Sequence, residues 1–177
     1  MNRKAKQKFG HTNRSHTPEE LASVLAGLGA THRQLDGSRV KAPARLLHET
    51  GRETWFAIRV TPWTGHRLRI VAECCWGAYF CSIRRGGASS RAIEEAERRL
   101  KQASARCRLD VDDRWEIPPV LLDHLDLAGD NKSVVLVPDE FWLEAVSADT
   151  WERELEEALS LACQSKPITP VAESPSR

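Results

Sequence analysis

The chain has 177 residues, of which 41% are hydrophobic and 29% charged, so we expect a packed core rather than a disordered chain. It contains neither a run of about 18 apolar residues nor an apolar segment after its first basic residues, so we expect neither a transmembrane helix nor a signal peptide. Residues 1–108 hold 21 Lys and Arg against 9 Asp and Glu, whereas residues 109–177 hold 5 against 16. Such a division fits a basic part that meets a polyanion, or two halves that attract one another.

The chain begins with a basic stretch and a helix signal. Residues 1–16 contain five Lys and Arg and no acid, which predicts a flexible basic arm that tracks phosphates or stays solvated. Thr17, Pro18 and Glu20 are typical of a helix start, with Thr as the N-cap. Apolar residues then recur at helical spacing, so we predict an N-terminal helix over 17–30.

Two stretches of the chain read alike. Each has Leu-Asp, a turn, and then Arg-x-x-x-Pro-x-x-Leu-Leu, at residues 35–47 and 109–122. Their arginines, Arg39 and Arg114, lie 75 positions apart. This internal repeat predicts two similar structural units.

Strand and helix patterns follow each copy of the motif. β-Branched and aromatic residues predict strands at 55–60, 67–72, 79–83, 133–137 and 141–146. Apolar spacing predicts helices over about 90–105 and 149–163. Alternation in the second strand places Arg67 and Arg69 on one exposed face, where they extend a basic surface or keep a sheet edge soluble. The same two interpretations apply to Arg84 and Arg85.

The second stretch resembles the MraZ family of bacterial regulators, which are related to AbrB-type (SpoVT-AbrB) proteins. The resemblance rests on a few short motifs. They are Leu109-Asp110, Arg114, Ile117-Pro118, Leu121-Leu122, Leu127-Ala128-Gly129, Val134–Val137, Phe141, Leu143–Val146 and Trp151-Glu152. The family also carries two units in tandem. By this resemblance the first, more divergent unit covers 33–106, the second covers 107–163, and 164–177 is a disordered tail.

The resemblance implies an α+β fold: a tandem-repeat barrel of swapped β-hairpins with helices outside. It also implies a homo-oligomer that binds repeated promoter DNA sites and regulates transcription. The family's DNA-contacting Arg corresponds to Arg39 and Arg114. Trp142 and Trp151 occupy positions that the family packs in its core.

The two turn loops differ in charge and in their fit to the family pattern. Ser38 and Asp113 replace the family's turn glycine, and a left-handed turn residue tolerates Asp better than Ser. Arg39, Lys41 and Arg45 have only Asp36 nearby, and they suit phosphate and base-edge contacts or form a solvated set. Arg114 has four neighbouring carboxylates, so we interpret it as the centre of an ion-pair cluster. We therefore expect the first unit to bind DNA.

We find no pattern typical of an enzyme, a metal site or a cofactor. The six histidines form no zinc-protease spacing, and the chain lacks phosphate-loop and dinucleotide motifs. The five cysteines lack ligand-like spacing, which indicates reduced thiols in a cytoplasmic protein. If they lie in a strand, Cys74 and Cys75 point to opposite faces.

The sequence thus predicts a non-enzymatic, DNA-binding homo-oligomer, cytoplasmic and associated with the nucleoid. The DNA-contacting residues would be Arg39, Lys41, Arg45 and, by family position, Arg114. The alternative is a protein-interaction module with the same barrel, whose acidic half docks on a basic partner. An antitoxin-like role is a variant of that alternative.

Overall fold

The computed structural model describes residues 16–85, 89–127 and 132–164. In these ranges the α-helices are α1 (Pro18–Leu25), α2 (Ala44–Thr50), α3 (Trp76–Arg84), α4 (Ser90–Ala103), α5 (Pro119–Leu122) and α6 (Ala148–Gln164). The strands are β1 (Thr31–Gln34), β2 (Arg39–Lys41), β3 (Ala57–Trp63), β4 (Arg67–Ala72), β5 (Ala105–Arg108), β6 (Arg114–Glu116), β7 (Ser133–Asp139) and β8 (Trp142–Ser147). The predicted basic arm and C-terminal tail lie outside the described residues, except for His16 and Gln164.

The strands form two antiparallel sheets. One has six strands in the order β1-β7-β8-β4-β3-β5, and the other is a two-stranded ribbon of β2 and β6. The predicted α+β class is confirmed. Across the ranges that the structure describes, the strands do not close into a barrel.

Strands early in the chain pair with strands late in the chain. β1 pairs with β7, β5 with β3, β4 with β8 and β2 with β6. The order of two short strands, a helix and a hairpin occurs twice, as β1-β2-α2-β3-β4 and as β5-β6-α5-β7-β8. Each set therefore contains strands that pair with strands of the other set.

The register of the ribbon follows the spacing of the repeated motif. Val40 lies opposite Trp115, Arg39 opposite Glu116, and Lys41 opposite Arg114. Arg39 and Arg114 are equivalent positions of the repeated motif, and so are Lys41 and Glu116. The Arg39–Glu116 pair therefore has the Arg114–Lys41 pair as its counterpart, and the ribbon is symmetric about the Val40–Trp115 pair. Two flanking hydrogen bonds keep this symmetry: Ala42 N donates to Asp113 O and Ile117 N donates to Ser38 O, both at 2.9 Å.

The first helix forms where its capping signal predicts. Glu20 N donates to Thr17 Oγ1 at 3.2 Å, and Thr17 N donates to the Glu20 carboxylate at 3.0 Å. This reciprocal pair satisfies two backbone donors that the first helical turn otherwise leaves free. Leu21 and Leu25 are fully buried, and the helix ends at Leu25, before the two glycines of the following segment.

One of the predicted strand segments is helical, and another begins later than predicted. The segment 79–83 lies in α3, and Trp55 lies in a 3-10 turn before β3. In α3 the aromatic residues Trp76, Tyr79 and Phe80 fall at helical spacing, and Tyr79 and Phe80 are buried. The prediction was wrong because β propensity outweighed this spacing in a short segment that begins two residues after Gly77.

Two tryptophans join the ribbon to the core. Trp55 and Trp115 are fully buried, with ring centroids 6.1 Å apart. The Trp115 indole donates to Trp55 O at 3.0 Å, and the Trp55 indole donates to the Thr50 hydroxyl at 3.0 Å. The prediction of a core role is confirmed for Trp142, which is also buried, while Trp151 on α6 is half-buried.

Replacing Trp115 by alanine should lower the free energy of unfolding by about 3–5 kcal/mol, because it removes a fully buried indole and the hydrogen bond to Trp55. Urea unfolding followed by circular dichroism measures the loss. Val120→Ala is the control, since Val120 is 74% exposed, and we expect a change within about 0.5 kcal/mol. Equal, small losses in both variants would show that Trp115 does not anchor the ribbon.

Candidate nucleic-acid interface

The first loop of the ribbon is a tight turn closed by Asp36 and Arg39. Asp36 N donates to Arg39 O and Arg39 N donates to Asp36 O, both at 3.0 Å. Only Gly37 and Ser38 lie between them, and Gly37 takes the left-handed conformation with φ of +61°. A side chain is disfavoured there. In this turn the left-handed residue is Gly37 and not Ser38, so the turn does not require a glycine at position 38.

The second loop is one residue longer, and Asp113 takes its left-handed position with φ of +60°. Asp is one of the non-glycine residues that tolerate this conformation. The Asp110 carboxylate accepts hydrogen bonds from Arg114 N at 2.9 Å and Asp112 N at 2.8 Å. The bond from Arg114 N is the main reason that the pKa of Asp110 lies below its usual value. The loop is thus held by its own carboxylate.

Strand pairing brings three of the four predicted site residues together. Arg39, Lys41 and Arg114 lie on the same face of the ribbon, because they alternate with the buried Val40 and Trp115. Arg45 lies apart from this ribbon, on α2, and pairs with Glu49 at 2.6 Å. The prediction assigned the loops to separate units, but the structure places them side by side.

Arg114 is an ion-pair centre, but its acidic partner is not the predicted one. Its guanidinium bonds the carboxylate of Asp36, in the opposite loop. The carboxylate of Asp113 is instead bound by Arg52, at 2.7 Å. Asp36 also lies 3.5 Å from Arg39. One carboxylate is therefore shared by the two arginines of the repeated motif.

A groove of about 340 Å³ runs between β1 and the ribbon. Its lining residues are His32, Arg33, Gln34, Leu35, Asp36, Arg39, Lys41 and Arg114. Four of these side chains carry a positive charge and one carries a negative charge. The groove can thus accept an anion with several oxygen atoms, such as a phosphodiester.

Arg33 is a groove residue that the sequence reasoning missed. Its Nε donates to Lys41 O at 3.1 Å, and partial burial lowers the pKa of its guanidinium. The bond holds β1 against the ribbon. The signal was weak, because β1 is only four residues long and all four are polar or charged.

The second loop has the opposite charge. Asp110, Asp112, Asp113 and Glu116 lie in and beside it, and Asp112 and Glu116 are exposed. Arg52 neutralises part of this charge through Asp113 and through a bond to Asp110 O. Glu116 lies opposite Arg39, on the same face as Arg39, Lys41 and Arg114, so the ribbon itself presents three cations and one carboxylate there. The three cations adjoin β1 in the groove.

Arg67 and Arg69 do not extend this basic surface. Both donate to the Glu144 carboxylate at 3.1 Å, and Arg67 also bonds Glu154. The Arg69 guanidinium lies 3.7 Å from the ring centroid of Trp63, and its side chain is only 12% exposed. The expectation of an exposed arginine face was wrong because β4 is a central strand whose neighbour, β8, supplies Glu144. Arg84 is also paired, with Glu97 at 2.5 Å, whereas Arg85 is exposed.

No protein-family model matches the chain, and no curated protein matches it. Among the described residues, no helix is long and apolar enough to cross a membrane. In the same ranges, no three or more His, Cys, Asp or Glu side chains are placed to hold a metal ion.

Asp36→Asn should strengthen binding to polyanions, because it removes the negative charge that Arg39 and Arg114 share. The variant should elute from a heparin column at a higher salt concentration than the intact chain. Asp139→Asn is the charge-matched control, since Asp139 is exposed at the end of β7. An equal shift for both variants would mean that net charge, and not the groove, governs retention.

Proposed function

We propose that this chain is a DNA-binding regulator of transcription that contacts DNA through the β2–β6 ribbon and the groove beside it. The observation that carries this proposal is that Arg33, Arg39, Lys41 and Arg114 line one groove beside a two-stranded antiparallel ribbon, with Asp36 as the carboxylate among the lining residues. A two-stranded β-ribbon has the dimensions that the major groove of B-DNA admits.

The residues divide into two roles by their chemistry. Lys41 and Arg33 provide charge for phosphate oxygens, which contributes affinity without sequence information. Arg39, at the tip of the ribbon and 46% exposed, has a planar guanidinium that can donate two hydrogen bonds to guanine. Arg114 is more constrained, because it bonds Asp36, so we assign it to positioning the loop rather than to reading bases.

We further propose that the chain comprises two tandem swapped-hairpin units of the MraZ type, at 33–106 and 107–163. The exchange of strand partners and the symmetric register of the ribbon support this interpretation, as does the twofold order of elements. In this proposal the barrel of the family is represented by the ribbon together with the six-stranded sheet.

A single ribbon offers few phosphate contacts, so useful affinity requires several ribbons on one DNA. We therefore propose a homo-oligomer that places successive ribbons on repeated promoter sites. Linking binding sites in this way raises overall affinity by effective concentration. We also propose that the protein is associated with the nucleoid, because its ligand would be chromosomal DNA.

Arg39→Ala and Lys41→Ala separate the two roles in one experiment. We expect Lys41→Ala to weaken binding to all DNA sequences and to reduce the slope of log affinity against log salt by about 1. Arg39→Ala should instead lose the preference for the protein's own upstream region over random duplexes, by about 1–3 kcal/mol. Fluorescence anisotropy over a salt series measures both quantities.

Arg99→Ala is the matched control, because Arg99 is exposed on α4 and its partner Glu95 keeps Arg98. Its salt slope and sequence preference should equal those of the intact chain. If the intact chain binds no DNA even at low salt, or if all three variants behave alike, the proposal fails.

The protein-interaction alternative is favoured by one observation on α6. This helix exposes Leu155 and Leu159 one turn apart, 47% and 57% accessible, among several glutamates. An acidic helix with an apolar stripe fits a basic, partly apolar partner. Loss of DNA binding at low salt in the experiment above would leave this alternative as the better reading of the fold.

A further inference from the structure

Two adjacent cysteines lie together in the connection between β4 and α3. Cys74 and Cys75 end a 3-10 turn that begins at Glu73, and their sulfur atoms are 3.8 Å apart. In a strand they would point to opposite faces, but the turn brings both sulfurs to one side. Cys74 is exposed and Cys75 is buried, so one sulfur is accessible and the other lies directly behind it.

The two thiols differ in acidity. The hydrogen bond between them lowers the pKa of Cys74 to about 7, and the same bond raises the pKa of Cys75. Near neutral pH, a large fraction of Cys74 is therefore a thiolate that accepts a hydrogen bond from a protonated thiol. Thiolates are the form that attacks electrophiles and binds soft ions.

The geometry of the two thiols argues against two common fates of a cysteine pair, namely a zinc site and an internal disulfide. Structural and catalytic zinc sites use four or three protein ligands, and the described residues place no third metal-binding side chain with this pair. A disulfide requires Cα atoms at least about 4.4 Å apart, whereas adjacent Cα atoms are about 3.8 Å apart. An internal disulfide here would therefore be strained.

A single atom bound by both sulfurs avoids that strain. Two sulfurs at about 2.3 Å from one tetrahedral centre lie about 3.8 Å apart, which is the spacing that the two thiols already have. A pyramidal centre with similar bond lengths brings them only slightly closer. The pair is thus arranged to chelate one soft, thiophilic atom.

We propose that Cys74 and Cys75 form a dithiol site that captures trivalent arsenicals. With an organic arsenoxide, each sulfur forms a bond to arsenic and the arsenic–oxygen bond breaks. The two thiol protons leave with that oxygen as one molecule of water, and no atom changes its oxidation state. The site is built from elements other than the ribbon, and it does not depend on the proposed DNA binding.

Binding of an arsenical should change the packing of the core beneath α3. Cys75 is fully buried, and the next residue, Trp76, stacks on Tyr79 with ring centroids 5.3 Å apart. Turning the Cys75 sulfur towards a bound atom shifts the start of α3, and with it this aromatic pair. We therefore expect tryptophan fluorescence to change as the site fills.

Phenylarsine oxide is the probe for the test, with the full chain carrying Cys81→Ser and Cys163→Ser. Both replaced cysteines are exposed. Burial raises the pKa of the remaining Cys107 to about 11, so it competes poorly. Intact mass should show one arsenical per chain. An excess of a small monothiol should leave it bound, and a small dithiol should remove it.

Cys74→Ser in the same background is the decisive comparison, because Cys74 is exposed and its loss should spare the fold, as circular dichroism can check. Without the second sulfur the apparent affinity should fall by about a hundredfold. The proposal is overturned if this variant keeps the adduct, if a monothiol releases it from the parent, or if the parent takes up no arsenical. None of these outcomes bears on DNA binding.

Discussion

The pairing of β2 with β6 is the constraint on which the rest of the structure depends. It buries Trp115 against Trp55 and places both copies of the repeated motif on one surface. Each loop is closed by its own backbone hydrogen bonds, and the symmetric pairing adds one backbone hydrogen bond from each strand to the opposite loop. The groove lies between this ribbon and β1, so its shape depends on the pairing of β2 with β6.

A symmetric backbone here carries an asymmetric set of charges. In the first loop a glycine takes the left-handed position, and the acid beside it, Asp36, is shared by two arginines. In the second loop an aspartate takes that position and is bound by Arg52. The two similar loops thus differ in charge: the first lies among cations, and the second contains three aspartates.

The sequence was informative where the signal is local and uninformative where the partner is distant. The capping residues Thr17 and Glu20 lie three positions apart, and α1 begins where they predict. By contrast, Arg67 is held by Glu144, 77 positions away, and no local pattern distinguishes it from a solvated arginine. The prediction for α3 failed for another reason: its aromatic residues have high β propensity, and their helical spacing, from Trp76 to Phe80, covers only about one turn. Arg33 was missed because its strand has no hydrophobic alternation.

The exchange of strands also bears on how the chain is made. Thr31 pairs with Leu136, and Leu68 pairs with Ala145, so β1 and β4 are synthesised well before the strands β7 and β8 with which they pair. Contacts so distant in sequence form slowly, and unpaired strand edges attract other chains in the interval. We expect the polar and charged residues of β1 and the arginines of β4 to keep these unpaired edges hydrated until their partner strands are made. The same arginines form ion pairs in the folded protein.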